Sequence, residues 1–312
     1  MKYRILTSGK INLGLTVIGR LSDGYHEIES IFLPIGVFDS ICCEFSIDDK
    51  EKVLEVFTSS ESLKGEAVPT NSENIVWRVI ELVENLVGVK IGFRISLEKN
   101  IPVGSGLGGG SGNGAGVLLA TVSFLESKGI LSATKKSEIF SEVIRIGADI
   151  PFFLQSGGCV VRGKGEKIIP IKGLLETLLD YNLVVVYPGF PSCTKDAYDF
   201  ISKKKLYHPE RWALDVATGI AKRSIKLEEL KGMLKNTFEL FIISPVVKEV
   251  KGELYRMGAL FSAMSGSGSS VYGIFSKQTD SIGIKKSLVS RFGFSENQIF
   301  ITRFVENPVQ FI

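Results

Sequence analysis

Apolar and small polar side chains mix along residues 3–6 and 11–18, which read as two short strands, and residues 32–47 form a third strand-rich stretch. Asn71-Ser72 offers an N-cap, after which Ile75, Val76, Val79, Ile80, Val83, Leu86 and Val87 recur at helical spacing until Gly88. Residues 89–97 alternate as a strand and lead into Lys99-Asn100-Ile101-Pro102. Helices are predicted over 117–124 and 137–146, the second stopped by Gly147. Beyond Gly157-Gly158 come short strands at 159–162 and 183–187, then helices rich in Lys and Glu, then a late strand at 270–275. Strands and helices mix without a regular βαβ period, which predicts an α+β chain of two lobes rather than a doubly wound sheet. The change of texture puts the boundary near 157, giving residues 1–157 and 158–312.

Composition narrows the function classes. Apolar residues make up 44% of the 312 and charged residues 23%, so the chain is an ordinary globular one, long enough to bury its own core. A net charge of +3, scattered along the chain, argues against a nucleic-acid surface. With only His26 and His208, a zinc site built on several imidazoles is excluded, and neither histidine lies near a G-x-S-x-G elbow. Cys42, Cys43, Cys159 and Cys193 form no C-x-x-C pair and read as reduced thiols of a cytoplasmic protein. No apolar run reaches the roughly 18 residues of a membrane span. Lys10 and Asn12 interrupt any secretory core near the start, so neither a membrane nor a nucleic acid is expected as partner.

Glycine is the outlier. There are 33 in the chain, and eight of the thirteen residues from Gly104 to Gly116 are glycine. Lying between a strand and a helix, such a segment lets the backbone approach a ligand closely, and the helix that follows offers free N–H groups to a phosphate. No Gly-Lys-Ser/Thr closes it, so it is not a Walker A loop. Gly104-x-Gly106-x-x-Gly109 matches the dinucleotide string, but Glu126, the acid about 20 residues on, falls within the predicted helix instead of at a strand end. Protein-kinase segments such as H-R-D and D-F-G are missing from the sequence. A nucleotide-phosphate loop of another kind remains.

Pro102-x-x-x-Gly106-Leu107-Gly108-Gly109-Gly110-Ser111 resembles the second motif of the GHMP kinases, the group that includes galactose, homoserine, mevalonate and phosphomevalonate kinases. Gly9-Lys10-Ile11-Asn12-Leu13 is similar to their first motif, and Ala263-Met264-Ser265-Gly266-Ser267-Gly268 to their third. Gly19-Arg20-x-x-Asp23-Gly24-Tyr25-His26-Glu27, Gly147-Ala148-Asp149-x-Pro151-Phe152 and Pro188-Gly189 with Thr194 and Tyr198 resemble one branch of that family. Its substrate is 4-(cytidine 5'-diphospho)-2-C-methyl-D-erythritol, in the non-mevalonate route to isoprenoids.

The resemblance implies a two-lobed GHMP fold with the active site in the cleft between lobes. It also implies ATP with Mg2+ as cofactors, and transfer of the γ-phosphate to the 2-hydroxyl of that alcohol. Residues 1–157 would carry the phosphate loop and catalytic groups, and 158–312 the substrate side and the third motif. The implied catalytic residues are Lys10 and Asp149, the carboxylate accepting the hydroxyl proton while the ammonium keeps it ionised and meets the moving phosphoryl oxygens. ATP is assigned to Asn74, Lys99, Pro102, Gly104, Gly106, Leu107, Gly108, Gly109, Gly110 and Ser111. The cytidine substrate falls to Asn12, Tyr25, His26, Asp149, Thr194, Tyr198 and Gly266, with Tyr25 and Tyr198 sandwiching the base and His26 on its edge. A monomer or weak homodimer is expected. Two departures stand out: Ser8-Gly9 replaces the usual Pro-Ala, and Gly112-Asn113-Gly114 replaces Ser-Asn/Asp-Ala. Helical glycines cost up to about 1 kcal/mol each relative to alanine, so a looser nucleotide loop is expected, tightened by Ser at 112 and Ala at 114.

Overall fold

The computed structural model describes residues 1–58, 67–242 and 244–312. Its framework is one hairpin of two very long strands, β1 (Lys2–Arg20) and β2 (His26–Ser46), paired antiparallel. The two short strands read at 3–6 and 11–18 are thus a single one. They look separate in sequence because residues 7–16 are buried without alternation, small polar and apolar alike, both faces of the ribbon being covered.

Bulges set which face each side chain meets. Register shifts occur between Ser8 and Gly9, between Leu13 and Leu15, and between Val17 and Gly19. The first leaves two extra residues, 36 and 37, on β2, whereas the other two leave one extra residue, Gly14 and then Ile18, on β1, where a one-residue bulge swaps the faces of all that follows. Ile5 belongs to one hydrophobic core and Ile11 and Leu13 to a second, and beyond the bulge at Gly14 Leu15 and Val17 return to the first. Between the first two bulges Lys10 and Asn12 alternate with Ile11 and Leu13, and so point away from the second core.

The lower part of β2 pairs with β4 (Gly92–Lys99), on which β3 (Lys52–Thr58) lies parallel. Its upper part pairs with β5 (Cys159–Gly163), followed by β6 (Lys167–Pro170). With β11 (Val309–Phe311) on β1 this makes seven strands, drawn from both sides of residue 157. A second sheet orders β10 (Ile299–Thr302), β7 (Asn182–Val186), β9 (Val271–Phe275) and β8 (Phe261–Met264).

Helix α1 (Ile75–Val87) turns Val76, Val79, Ile80 and Val83 inward, as its spacing predicts, but its N-cap is Asn74, not Asn71-Ser72. The Asn74 carboxamide oxygen accepts from the Val76 N–H at 2.9 Å, whereas Asn71 caps only the turn before it, accepting from the Glu73 N–H. Helix α2 (Gly109–Ser127) starts inside the glycine cluster, eight residues before the predicted body. Helices α3 (Ala133–Glu142) and α4 (Ile150–Phe153) follow, the latter immediately after Asp149. The rest of the chain contributes α5 (Leu174–Leu178), α6 (Thr194–Lys204), α7 (Ala213–Ala221), α8 (Pro245–Arg256) and α9 (Ser281–Phe292). No helix among the described residues is long and apolar enough to cross a membrane.

Candidate active site

Two glycine-containing loops interlock at the floor of a cleft. In the 102–108 loop between β4 and α2, Gly106 has φ +79°, and any Cβ there would collide with the Ser265 carbonyl. Ser265, in the loop between β8 and β9, donates its hydroxyl to the Gly106 carbonyl at 3.0 Å, and the Ser270 N–H reaches Ser105 O at 3.0 Å. Gly108, left-handed at φ +73°, begins α2 as an N-cap that makes no side-chain bond. The first turn, Gly109 to Ser111, faces the cleft, where free N–H groups and the positive end of the helix favour an anion. Leu107 is the exception in this loop: its side chain is fully buried in the second core, and its carbonyl accepts from the Lys10 N–H at 2.8 Å.

Lys10 is 3% exposed. Its ammonium donates to Asn12 Oδ1 at 2.7 Å and Gly106 O at 3.1 Å, lies 3.6 Å from Asp149 Oδ2, and sits 4.9 Å above the Phe32 ring. Burial pulls its pKa below the ordinary lysine value, while the Asp149 carboxylate pushes the other way. Asp149 is the N-cap residue of α4 yet makes no capping bond, so its carboxylate, 30% exposed, stays directed to Lys10 and the cleft. Asn12 is held in one orientation. Ser30 donates its hydroxyl to Gly14 O at 2.5 Å and accepts from Asn12 Nδ2 at 3.0 Å, which leaves the carboxamide oxygen for Lys10.

A second buried lysine lies beneath the loop. Lys99, 5% exposed, pairs with the fully buried Asp39 and donates to Asn113 Oδ1 at 2.8 Å. Asp39 also accepts from Asn113 Nδ2 at 2.9 Å and from the N–H groups of Asn100 and Ile101 at 2.8 Å each, and Asn113 reaches Thr7 Oγ1 at 2.8 Å. This network ties β1, β2, the end of β4 and α2 together.

The cleft has a volume of about 460 Å3. Lys10, Asn12, Asn74, Lys99, Pro102, Gly104, Gly106, Gly108, Gly109, Gly110, Ser111, Asp149, Thr194, Tyr198 and Gly266 all line it. Thr194 opens α6 and shares a 2.8 Å hydrogen bond with Ser267 of the third motif. Tyr198 meets Phe238 edge-on at 4.9 Å, and burial with the Asp149 charge raises its phenol pKa, keeping the hydroxyl protonated. Tyr25 and His26 lie outside this lining. His26 stacks on Tyr198 at 4.7 Å and 14°, and its Nε2 shares a 2.5 Å hydrogen bond with Ser202. Its pKa is lowered, chiefly by burial and further by Arg20, so the imidazole is neutral at neutral pH. Tyr25 is 63% exposed at the hairpin tip, with Lys164 4.5 Å from its ring centre and paired to Asp23. The structure thus joins His26 to Tyr198 and leaves Tyr25 apart.

Sequence reading passed over Asp39, Asn113, Ser265, Ser267 and Phe238. The serines stood within the third motif and could have been found there. Asp39 carried no local signal, since its partner is 60 residues away. The extra glycines have a packing reason. A Cβ on Gly112 would stand 2.9 Å from the Ser8 carbonyl, and one on Gly114 3.2 Å from Ile150 Cδ1, because α2 runs close against β1 and α4. Helix α2 runs unbroken through both positions from Gly109 onward.

Residues 74–157 match the GHMP kinases N terminal domain, and residues 221–293 match the GHMP kinases C terminal region. The chain is 33% identical to the 4-diphosphocytidyl-2-C-methyl-D-erythritol kinase of Alkaliphilus metalliredigens over 276 residues, 88% of each chain. It is 28% identical to the enzyme of the same name from Clostridium tetani, over 96% of this chain and 99% of that one. A crystal structure of 4-(cytidine 5'-diphospho)-2C-methyl-D-erythritol kinase superposes with a TM-score of 0.70 at 28% identity, covering 97% of this chain and 99% of its own. Interlocked glycine loops, a buried lysine on an acid and these matches lead to one conclusion: the chain belongs to the GHMP kinases, ATP-dependent phosphotransferases that act on an alcohol group.

Proposed function

We propose that the chain transfers the γ-phosphate of ATP to the 2-hydroxyl of 4-(cytidine 5'-diphospho)-2-C-methyl-D-erythritol. The observation that carries the chemistry is the Lys10 ammonium, which spans the Asp149 carboxylate and the carbonyl of phosphate-loop Gly106. In this reading Asp149 takes the hydroxyl proton and the freed oxygen bonds to the γ-phosphorus. The bond from that phosphorus to the β,γ-bridging oxygen breaks, and ADP leaves. Lys10 stays protonated and stabilises the equatorial phosphoryl oxygens in a site shielded from water.

The phosphates are assigned to the loop from Pro102 to Ser111, with Asn74 and Lys99 on the nucleotide side. Asn12, Tyr25, His26, Thr194, Tyr198 and Gly266 are assigned to the alcohol. A cytosine entering between Tyr25 and Tyr198 requires His26 to give up its stack on Tyr198. The neutral imidazole offers one donor and one acceptor to the base edge once its Nε2 also exchanges Ser202 for the base. Mg2+ belongs to this reading as the ion that neutralises the nucleotide phosphates. The nucleotide phosphates, with Ser111 Oγ lining the cleft beside them, would be the hard oxygen donors to such an ion. Residues 1–157 and 158–312 are assigned to the two lobes, with β5, β6 and β11 completing the first sheet. The enzyme is assigned to the cytoplasm as a monomer or weak homodimer, without nucleic-acid or membrane partners.

The test is ADP release against a panel of alcohols. Turnover of the cytidine-diphospho alcohol, lost in Asp149→Asn, is expected. If mevalonate or homoserine turns over while that alcohol is inert, the substrate assignment fails.

A further inference from the structure

Behind the third glycine motif lies a second cavity of about 460 Å3, which the kinase reading above does not use. Its apolar wall comes from Leu234, Leu240 and Phe261, and Leu240 is 52% exposed at the rim. Three lysines, Lys231, Lys235 and Lys251, line it against one acid, Glu239, which pairs with Lys251. Lys231 stands 4.5 Å over the Tyr255 ring. The wall therefore carries an excess of cations around an apolar pit. Ser262 also belongs to this wall, is 3% exposed, and its hydroxyl has no hydrogen-bond partner. A buried hydroxyl left unpaired costs free energy that a bound acceptor or donor would recover.

The cavity and the active cleft share a partition. Asn236, in the cavity wall, donates its carboxamide to Met264 O at 2.9 Å and Gly266 O at 2.8 Å. Glu239 accepts from the Met264 N–H at 3.1 Å. Between them Thr237 accepts from the Val17 N–H at 3.2 Å, and Phe238 turns the other way, into the cleft against Tyr198. Residues 236–239 thus touch the third motif, the long strand β1 and the substrate side of the cleft at once.

We propose that this cavity is a second binding site, for a small organic anion with an apolar body, and that its occupancy is felt in the kinase cleft through residues 236–239. A pocket of this size takes a ligand of small-molecule dimensions. The lysines supply the attraction for a phosphate or carboxylate, and the leucines and Phe261 hold the body. Glu239 and Asn236 then link the bound state to Met264 and Gly266.

The experiment uses 1-naphthyl phosphate as probe, in calorimetric titration of the full chain saturated with a non-hydrolysable ATP analogue, so that the nucleotide site is filled. Saturable one-site binding is expected, weakened at least tenfold in the double variant K231E/K235E, whose side chains are both exposed. Leu240→Glu, which tests the apolar half separately, should weaken it to a similar degree. Neither 1-naphthol nor inorganic phosphate alone should match the probe. Probe binding should also shift the KM for ATP at least twofold. Absence of binding with the cleft filled, displacement of the probe by excess analogue, or undiminished binding in both variants overturns the site. Binding without any change in the KM for ATP overturns the coupling. Because the titration needs no alcohol substrate, its outcome is independent of the substrate assignment.

Discussion

Two lysines are buried beside the same phosphate loop, and they are built for opposite ends. Lys99 meets an acid that is itself fully buried and saturated with donors: the ammonium, the Asn113 carboxamide and two backbone N–H groups. Lys10 meets an acid 3.6 Å away that remains 30% exposed. The first arrangement is closed and holds β2, β4 and α2 in place. The second is left open on one side, with the ammonium shared among Asn12, Gly106 and Asp149 and the carboxylate facing the cleft. Incomplete pairing, rather than burial as such, distinguishes a reacting ion pair from a supporting one.

The largest expected effect tests the open pair. Asp149→Asn should lower kcat by about 10²–10⁴-fold, the range for loss of a positioned base. Lys10→Met should lower kcat as severely while lowering the Tm less than removal of Lys99 does, because the Asp149 carboxylate it leaves behind is 30% exposed and can be hydrated. Thermal unfolding monitored beside steady-state kinetics checks both at once. Next comes the closed pair. Lys99→Met strands the Asp39 charge and should cost about 3–5 kcal/mol of unfolding free energy, read by urea titration. A Lys99 variant that folds as well as the parent but has lost kcat would break the comparison.

Gly112→Ser tests the helix contact beneath both lysines. Rather than tightening ATP, it should destabilise the protein by about 1–3 kcal/mol through overpacking against the Ser8 carbonyl. Gly114→Ala should change stability by less than about 1 kcal/mol, because its helix-propensity gain offsets a mild contact with Ile150.

The smallest signal is in pH. The lowered pKa of Lys10 means that its ammonium is lost before an ordinary lysine titrates. Activity should therefore fall with rising pH below the usual lysine range. In that window the unfolded chain still holds a proton that the folded one has released, so the Lys10 contribution to stability rises as activity falls. Stability profiles of the parent and Lys10→Met should diverge there, and parallel profiles would remove the distinction between the two lysines.

Much of this was legible beforehand, and the reasons are local. The three glycine motifs, Lys10 and Asp149 sit in short strings whose spacing survives folding unchanged, and α1 announced itself by the period of its valines and isoleucines. The start of α2 was not legible, since glycines read as loop by propensity, while here they allow a helix to lie against Ser8 and Ile150. The 19 residues of β1 were read as two pieces and the first six residues of β2 were missed, because strand segments buried on both faces lose their alternation. Asp39 and Asn113 could not be read at all. Their meaning comes from contacts 60 and 74 residues away in sequence.

The interruptions of the β1–β2 ladder carry a mechanical consequence. A two-stranded ribbon yields most readily where its ladder is interrupted, and the interruptions fall at Ser8/Gly9 and Leu13/Leu15, on either side of Lys10 and Asn12. Flexing of the hairpin is thereby diverted to two joints that bracket the reacting groups. The short segment between them is tied to its neighbours by the Leu107 and Tyr272 hydrogen bonds on Lys10 and Asn12, so the lysine and the asparagine that steadies it keep their spacing.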